Sequence, residues 1–227
     1  YSQGMPFIDL AKMSWGWHRP WGSSWKDIEL DLDEKGYLRT VDEGAAQTII
    51  SDDLWGRSED NKRYVVLYDG EGELVFNLRK PTIIKSEPGR IEIELQKGRA
   101  GMAQVSTNSA NYLRNIRILP ITHENDYKQH IVSEQFSDTW KGMGVVRYLN
   151  QQGINASTEL KWQDRKRPGS FGSKGGQSLE DIIQMSNEMN STPWLLAPHL
   201  ADDDYFRKMA IYVKNNLNPQ YFEKIPF

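Results

Sequence analysis

The sequence predicts an α+β multidomain chain. An antiparallel, jelly-roll-like β-sandwich is expected over 1–120, followed over 121–227 by an incomplete (β/α) barrel. Three observations carry this. Short apolar runs separated by Gly, Pro, Asn and Asp recur through the first half, with no convincing long helix between them. After Pro120, strand-like runs alternate with helical ones. The length, 227 residues, fits one large domain or two ordinary ones, and the second half is too short for a closed barrel, which needs about 250 residues on its own.

The first feature along the chain is "MSWGWHRPWGSSW", which holds Trp15, Trp17, Trp21 and Trp25, four of the chain's eight tryptophans. The interleaved Gly, Ser and Pro rule out a regular helix face. Two readings stay open. The rings plug the edge of a core, or they offer flat apolar faces to the C–H face of a pyranose. "AAQTIIS", "AQVST" and "RNIRILP" read as short strands. "YVVLYDGEGELVF" reads as a hairpin turning at Asp69-Gly70-Glu71-Gly72. "TIIKSEPGRIEIELQ" reads as a second hairpin turning at Pro88-Gly89. In it Ile91, Ile93 and Leu95 alternate with Glu92, Glu94 and Gln96, the pattern of one buried and one wet face. Roughly eight strands are expected in all.

In the second half, "GVVRYLN" is a buried-strand pattern. "SLEDIIQMSNEMN" spaces Leu179, Ile182, Ile183 and Met185 close to a helical period, with Ser178 as its cap and Glu180 and Asp181 in the first turn. "PWLLAP" is a further strand. Asp202 to Asp204 start a helix whose apolar stripe is expected to be Phe206, Met209, Ala210, Val213 and Leu217. "QYFE" reads as a third strand, which makes a βαβαβ order.

At this point the sequence resembles a group of secreted bacterial proteins labelled cellulose-binding or glycoside-hydrolase-like. They join an N-terminal β-sandwich to a (β/α)8 barrel of the clan A type. The resemblance rests on "PFIDLAKMSWGW", "DLDEKGYLRTV", "YVVLYDGEGELVF", "RNIRILP", "VVRYLN", "WQDR" and "PWLLAPHLADDDYFRKMA", in that order, and it runs nearly end to end. In that family the strand matching "QYFE" leads into a motif with an Asn-Glu acid/base pair. Here Glu223 matches the glutamate before the motif, and Lys224-Ile225-Pro226-Phe227 follows instead. The resemblance therefore implies a glycosidase lineage, while the departure falls on the hydrolytic residues. The expectation is a chain truncated before its catalytic motif.

Composition sets limits. A net charge of -3 gives no reason to expect nucleic acid or an acidic membrane surface. No apolar run reaches the length of a membrane span. The absence of cysteine excludes disulfides and cysteine-based zinc sites. His18, His123, His130 and His199 are scattered without ligand spacing, so neither a metal nor a cofactor is expected. No phosphate loop and no Ser-His-Asp arrangement is readable. The chain opens at Tyr1 without an initiator Met and is read as processed or trimmed. Asn155-Ala156-Ser157 and Asn190-Ser191-Thr192 are glycosylation triplets whose use the sequence leaves open.

Glycoside hydrolysis normally needs two carboxyl groups facing each other across the bond. Asp202, Asp203 and Asp204 are adjacent acids at a helix start, which stabilisation of the helix dipole accounts for. Glu180 and Glu188 are expected to face solvent. No catalytic residue is assigned, and these 227 residues alone are expected to be inactive. The carbohydrate-binding candidates are Trp17, Trp21, Trp162, Asp164, Arg165 and His199. Trp162, Asp164 and Arg165 lie in the basic, Gly-rich "KWQDRKRPGSFGSKGG", which reads either as a loop over a site or as a solvated loop. Arg147, Asn150 and Glu223 are candidates for the mouth of a barrel, with Arg147 facing Asp164 or Glu223. The expected function is extracellular binding of a polysaccharide or oligosaccharide. The alternatives are a fragment of an active clan A glycosidase whose carboxylates lie beyond residue 227, or a self-associating structural subunit of an extracellular assembly.

Overall fold

A computed structural model of the chain describes residues 5–20, 29–41, 44–51, 62–78, 81–96 and 98–222. It divides into two units. One comprises Phe7–Gln129 with Gly169–Gly172, and the other Tyr1–Pro6, His130–Pro168 and Ser173–Phe227.

The first unit is built on β1 (Ala46–Ser51), β2 (Lys62–Asp69), β3 (Gly72–Asn77), β4 (Thr82–Glu87), β5 (Arg90–Leu95), β6 (Ala100–Thr107) and β7 (Arg114–Pro120). They form two sheets, ordered β1-β6-β3 and β4-β5-β2-β7, and every pairing is antiparallel. The hairpin at Pro88-Gly89 is present, with Glu87 opposite Arg90. Proline presets φ at the first turn position and Gly89 takes φ +79° at the second, the chemistry of a type II turn.

The expected hairpin at Asp69-Gly70-Glu71-Gly72 is not one. β2 pairs with β5 and β7, whereas β3 pairs with β6, so this turn carries the chain from one sheet to the other. The segment after β6 holds the corner in place. Glu71 N–H donates to Asn111 O (2.8 Å) and Asn108 N–H to Glu71 O (2.9 Å). The Glu71 carboxylate accepts from Asn108 Nδ2 (2.9 Å) and Asn111 Nδ2 (3.2 Å), which lowers its pKa. Gly70 is required there, because a Cβ would lie 2.1 Å from Tyr112 O.

Ile91, Ile93 and Leu95 are buried as their alternation predicts, but Glu92 is buried too. Arg63 and Arg90 cover it as ion-pair partners, the latter at 3.5 Å, so paired charge covers the expected wet face at this one position, while Glu94 is half-buried and Gln96 exposed. Ile8, Val65 and Leu119 form one core cluster, with Leu67 and Tyr127 packed on it. The short helix α1 (Leu10–Met13) is capped by Asp9, whose Oδ1 accepts from Ala11 N (3.0 Å) and from Ile118 N in β7 (2.8 Å).

The second unit contains α2 (Glu134–Trp140), β8 (Val145–Arg147), α3 (Leu149–Gln152), α4 (Leu179–Glu188), β9 (Thr192–Trp194), α5 (Asp203–Asn216) and α6 (Pro219–Phe222). β8 and β9 pair in parallel, with Val145, Val146 and Arg147 opposite Thr192, Pro193 and Trp194. Among the described residues no third strand joins this pair. Strand structure in "PWLLAP" stops at Trp194.

Within the expected third strand "QYFE", the described residues 220–222 are helical instead, and Glu223 lies outside the described residues. Pro219 sits at the first helical position, where its missing N–H costs nothing. Asn218 caps the turn by accepting from Tyr221 N on its carbonyl (3.0 Å) and from Gln220 N on its side chain (3.4 Å).

Ser178 caps α4, accepting from Asp181 N (3.1 Å). Asp202 caps α5, accepting from Tyr205 N (2.8 Å). The inward stripe of α5 runs through buried Tyr205, half-buried Met209 and buried Val213 to Leu217, while Phe206 and Ala210 are exposed. The real stripe keeps a spacing of four and starts one residue earlier than the sequence pattern indicates. Ile183, Val213 and Leu217 close the core of this unit.

Candidate functional site

Glu180, expected in solvent, instead reaches back to the loop before α4. Arg165 Nη2 donates to Glu180 Oε1, and the Arg165 side chain is only 7% exposed. Its guanidinium lies 3.9 Å from the centroid of Trp162, a cation–π contact strengthened by exclusion of water. Tyr205, at the start of α5, sets its ring edge-on to Trp162 at 5.4 Å and donates its hydroxyl to Glu159 Oε2 at 2.8 Å. Burial raises the Tyr205 pKa, and the bond to Glu159 adds to this. Tyr205 thus stays a neutral donor.

Beside this stack lies a cleft lined by Gln152, Glu159, Arg165, Lys166, Gln177 and Tyr205, with an apolar wall that includes Leu196 and Met209. It offers about 30 Å³, space for roughly two water-sized groups and not for a sugar ring. Its rim is held by local chemistry. Asp164 accepts from Lys161 N (2.8 Å) and Leu160 N (3.3 Å), fixing the 3-10 turn Trp162–Asp164. The Gln152 side chain bonds the Leu196 backbone in both directions, at 2.8 and 2.9 Å. Lys166 Nζ donates to Gly176 O (2.6 Å) and Lys174 O (3.1 Å).

Two glycines let the walls meet backbone to backbone. A Cβ on Gly153 would lie 2.6 Å from the Gly175 carbonyl carbon, and one on Gly176 would lie 2.4 Å from that of Gln152. Both have positive φ, +64° and +86°.

Of the sequence candidates, the fold brings Trp162, Asp164 and Arg165 together. Asp164 shapes the turn, Arg165 lines the cleft, and Trp162 packs behind it against Arg165 and Tyr205. Trp17 is placed differently. It is buried, and its ring stacks on Phe171 at 4.8 Å with an 11° interplanar angle, so it fills the core of the first unit. Phe171 belongs to the Gly-rich loop and also meets Tyr37 at 5.7 Å. Gly172 makes the approach possible, since a Cβ there would lie 2.8 Å from Gly16 N.

His199 is exposed in the turn after Pro198. Arg147 is exposed and lies over the ring of its cross-strand neighbour Trp194 at 5.2 Å, and Asn150 is exposed in α3. Trp21, Trp25 and Glu223 lie outside the described residues. Glu188, also expected in solvent, accepts from Ile131 N (2.9 Å) and Val132 N (3.3 Å). It pins the start of this unit to α4.

Sequence reading missed Glu159, Glu180, Gln152 and Tyr205 as partners of the cleft. Tyr205 was open to detection from the spacing of four along α5. Glu159 lies in a loop with no pattern to mark it. Among the described residues no group of three or more His, Cys, Asp or Glu could hold a metal ion, and no helix is long and apolar enough to cross a membrane. No family model matches the chain, and no curated protein or solved structure matches it either.

Proposed function

We propose that the chain is an extracellular polysaccharide-binding protein related to glycoside hydrolases, and that saccharide contact is made at the Trp162–Arg165 cleft. The observation that carries this reading is the Arg165–Trp162–Tyr205 stack. It sets an aromatic ring beside a cleft rich in hydrogen-bonding groups, the pairing of flat apolar and polar surface that sugars require. In this reading the two antiparallel sheets stack as a jelly-roll-like sandwich. Isothermal titration with soluble β-1,4-linked glucose oligomers tests the proposal. Binding is expected, and Trp162→Ala should weaken it by at least about tenfold, the loss of one stacking face. Undiminished binding by this variant would move the site elsewhere.

A second reading is favoured by one specific observation, the parallel pairing of β8 with β9. Parallel strands joined through helices belong to sheets of more than two strands. The pair then belongs to a clan A type barrel whose catalytic carboxylates follow residue 227. Under this reading the 227 residues release no reducing sugar, whereas a longer native chain does.

A further inference from the structure

Helix α5 turns one side to its own unit and the other to solvent. Tyr205, Met209 and Val213 face inward. The opposite side carries a seam of Asp203, Arg207, Ala210 and Lys214, all exposed. Their spacing of four, three and four is the one at which two α-helices pack side by side. Phe206 and Ile211 flank the seam, one on each edge, and are 48% and 53% exposed.

The charges along the seam are unevenly used. Asp204, beside it, holds both Arg207 (3.3 Å) and Lys208 (2.6 Å). Asp203 and Lys214, near the two ends of the helix, have no ion-pair partner among the described residues.

Placed antiparallel to a second copy of itself about a two-fold axis, this side of α5 is self-complementary. Asp203 falls opposite Lys214 of the second copy, and Lys214 opposite its Asp203. Each Arg207 lies beside the other copy's Ala210, a long side chain against a short one. Phe206 then covers that Ala210, and Ile211 covers the apolar stem of Arg207. A parallel pairing would set Asp203 on Asp203 and Lys214 on Lys214, so charge selects the antiparallel arrangement.

We propose that α5 is a self-association surface, through which two copies of the chain form an antiparallel two-fold dimer. The dimer does not depend on the saccharide reading. Tyr205 and Met209, which line the cleft, lie on the other side of the helix, so the contact leaves both clefts uncovered. A seam one helix long buries less than the roughly 1,200 Å² of a stable interface, so association is transient, with a Kd on the order of 0.1 mM.

Sedimentation equilibrium between about 10 and 500 μM spans that affinity and tests the proposal. A monomer–dimer equilibrium is expected. Asp203→Lys and Lys214→Asp should each weaken it at least about tenfold. The double variant restores opposite charges across the seam and should return the affinity to within about threefold of the native chain. Phe206→Ser, which alters no charge, should also weaken the dimer. Asp203 and Lys214 suit the dipole of their own helix as well, and the double variant separates the two roles. A dipole effect alone lowers its melting temperature below that of either single variant and leaves association unchanged throughout. A chain that stays monomeric over this range overturns the proposal. So does a dimer indifferent to the single substitutions, or one that the double variant fails to restore.

Discussion

Asp9 is a carboxyl group whose surroundings work against its charge. Burial raises its pKa from 3.8 to about 6, against the opposing pull of the Ile118 and Ala11 N–H groups and of Lys12 and Arg117. A carboxyl with a raised folded pKa binds protons more tightly in the native state. Its contribution is therefore complete below the unfolded value near 4 and is lost as pH rises to about 6. The shift corresponds to about 3 kcal/mol. Asp9→Asn keeps an oxygen for both backbone donors and removes the titration. Urea unfolding of both proteins at about pH 3 and about pH 7 should show the native chain losing about 3 kcal/mol relative to the variant. Parallel pH profiles would show that the charge is compensated. Nothing in "PFIDLAK" foretells this burial. It arises when α1 settles on β7, a contact between residues far apart in sequence.

At the scale of elements, legibility followed how local each cause was. The Pro88-Gly89 hairpin, the Ser178 cap and the Asp202 cap are each decided within a few residues, and each formed as read. The corner at Gly70 has the composition of a hairpin turn. What makes it a corner is the backbone of Asn111 and Tyr112, which no local pattern announces. The helix Pro219–Phe222 was misread because a short apolar run is ambiguous in period, although proline after asparagine was the better guide. The candidate site was half legible on the same grounds. Trp162 and Arg165 stood out by residue type, whereas Glu159 became visible only through its bond to Tyr205. The cap on α5 gives a test at this scale. Asp202→Ala should cost about 1 kcal/mol of stability, measured by thermal or chemical unfolding, because the Tyr205 N–H loses its acceptor. Since Tyr205 leads the buried stripe of α5, saccharide affinity should fall with it. A stable variant that still binds fully would separate the cap from the cleft.

At the scale of the molecule, the charge of -3 spread over 227 residues bears on how a ligand is attracted. Binding through stacking and neutral hydroxyls releases no counterions, unlike binding to a polyanion. Affinity for a neutral glucose oligomer should then change by less than about twofold between roughly 50 and 500 mM salt. A steep decline measured by titration would point to an anionic ligand and away from the proposed one.

The contact between Gly153 and Gly176 has a further consequence. Neither residue lines the cleft, yet each is followed or preceded in the chain by a segment that does, through Gln152 on one side and Gln177 on the other. The two hydrogen atoms in place of side chains act as a spacer of minimum thickness, setting the gauge of the opening. A single methyl group at either position would widen that gauge without altering any chemical group inside. Selection therefore has a way to retune what the cleft admits while leaving its polar groups as they are.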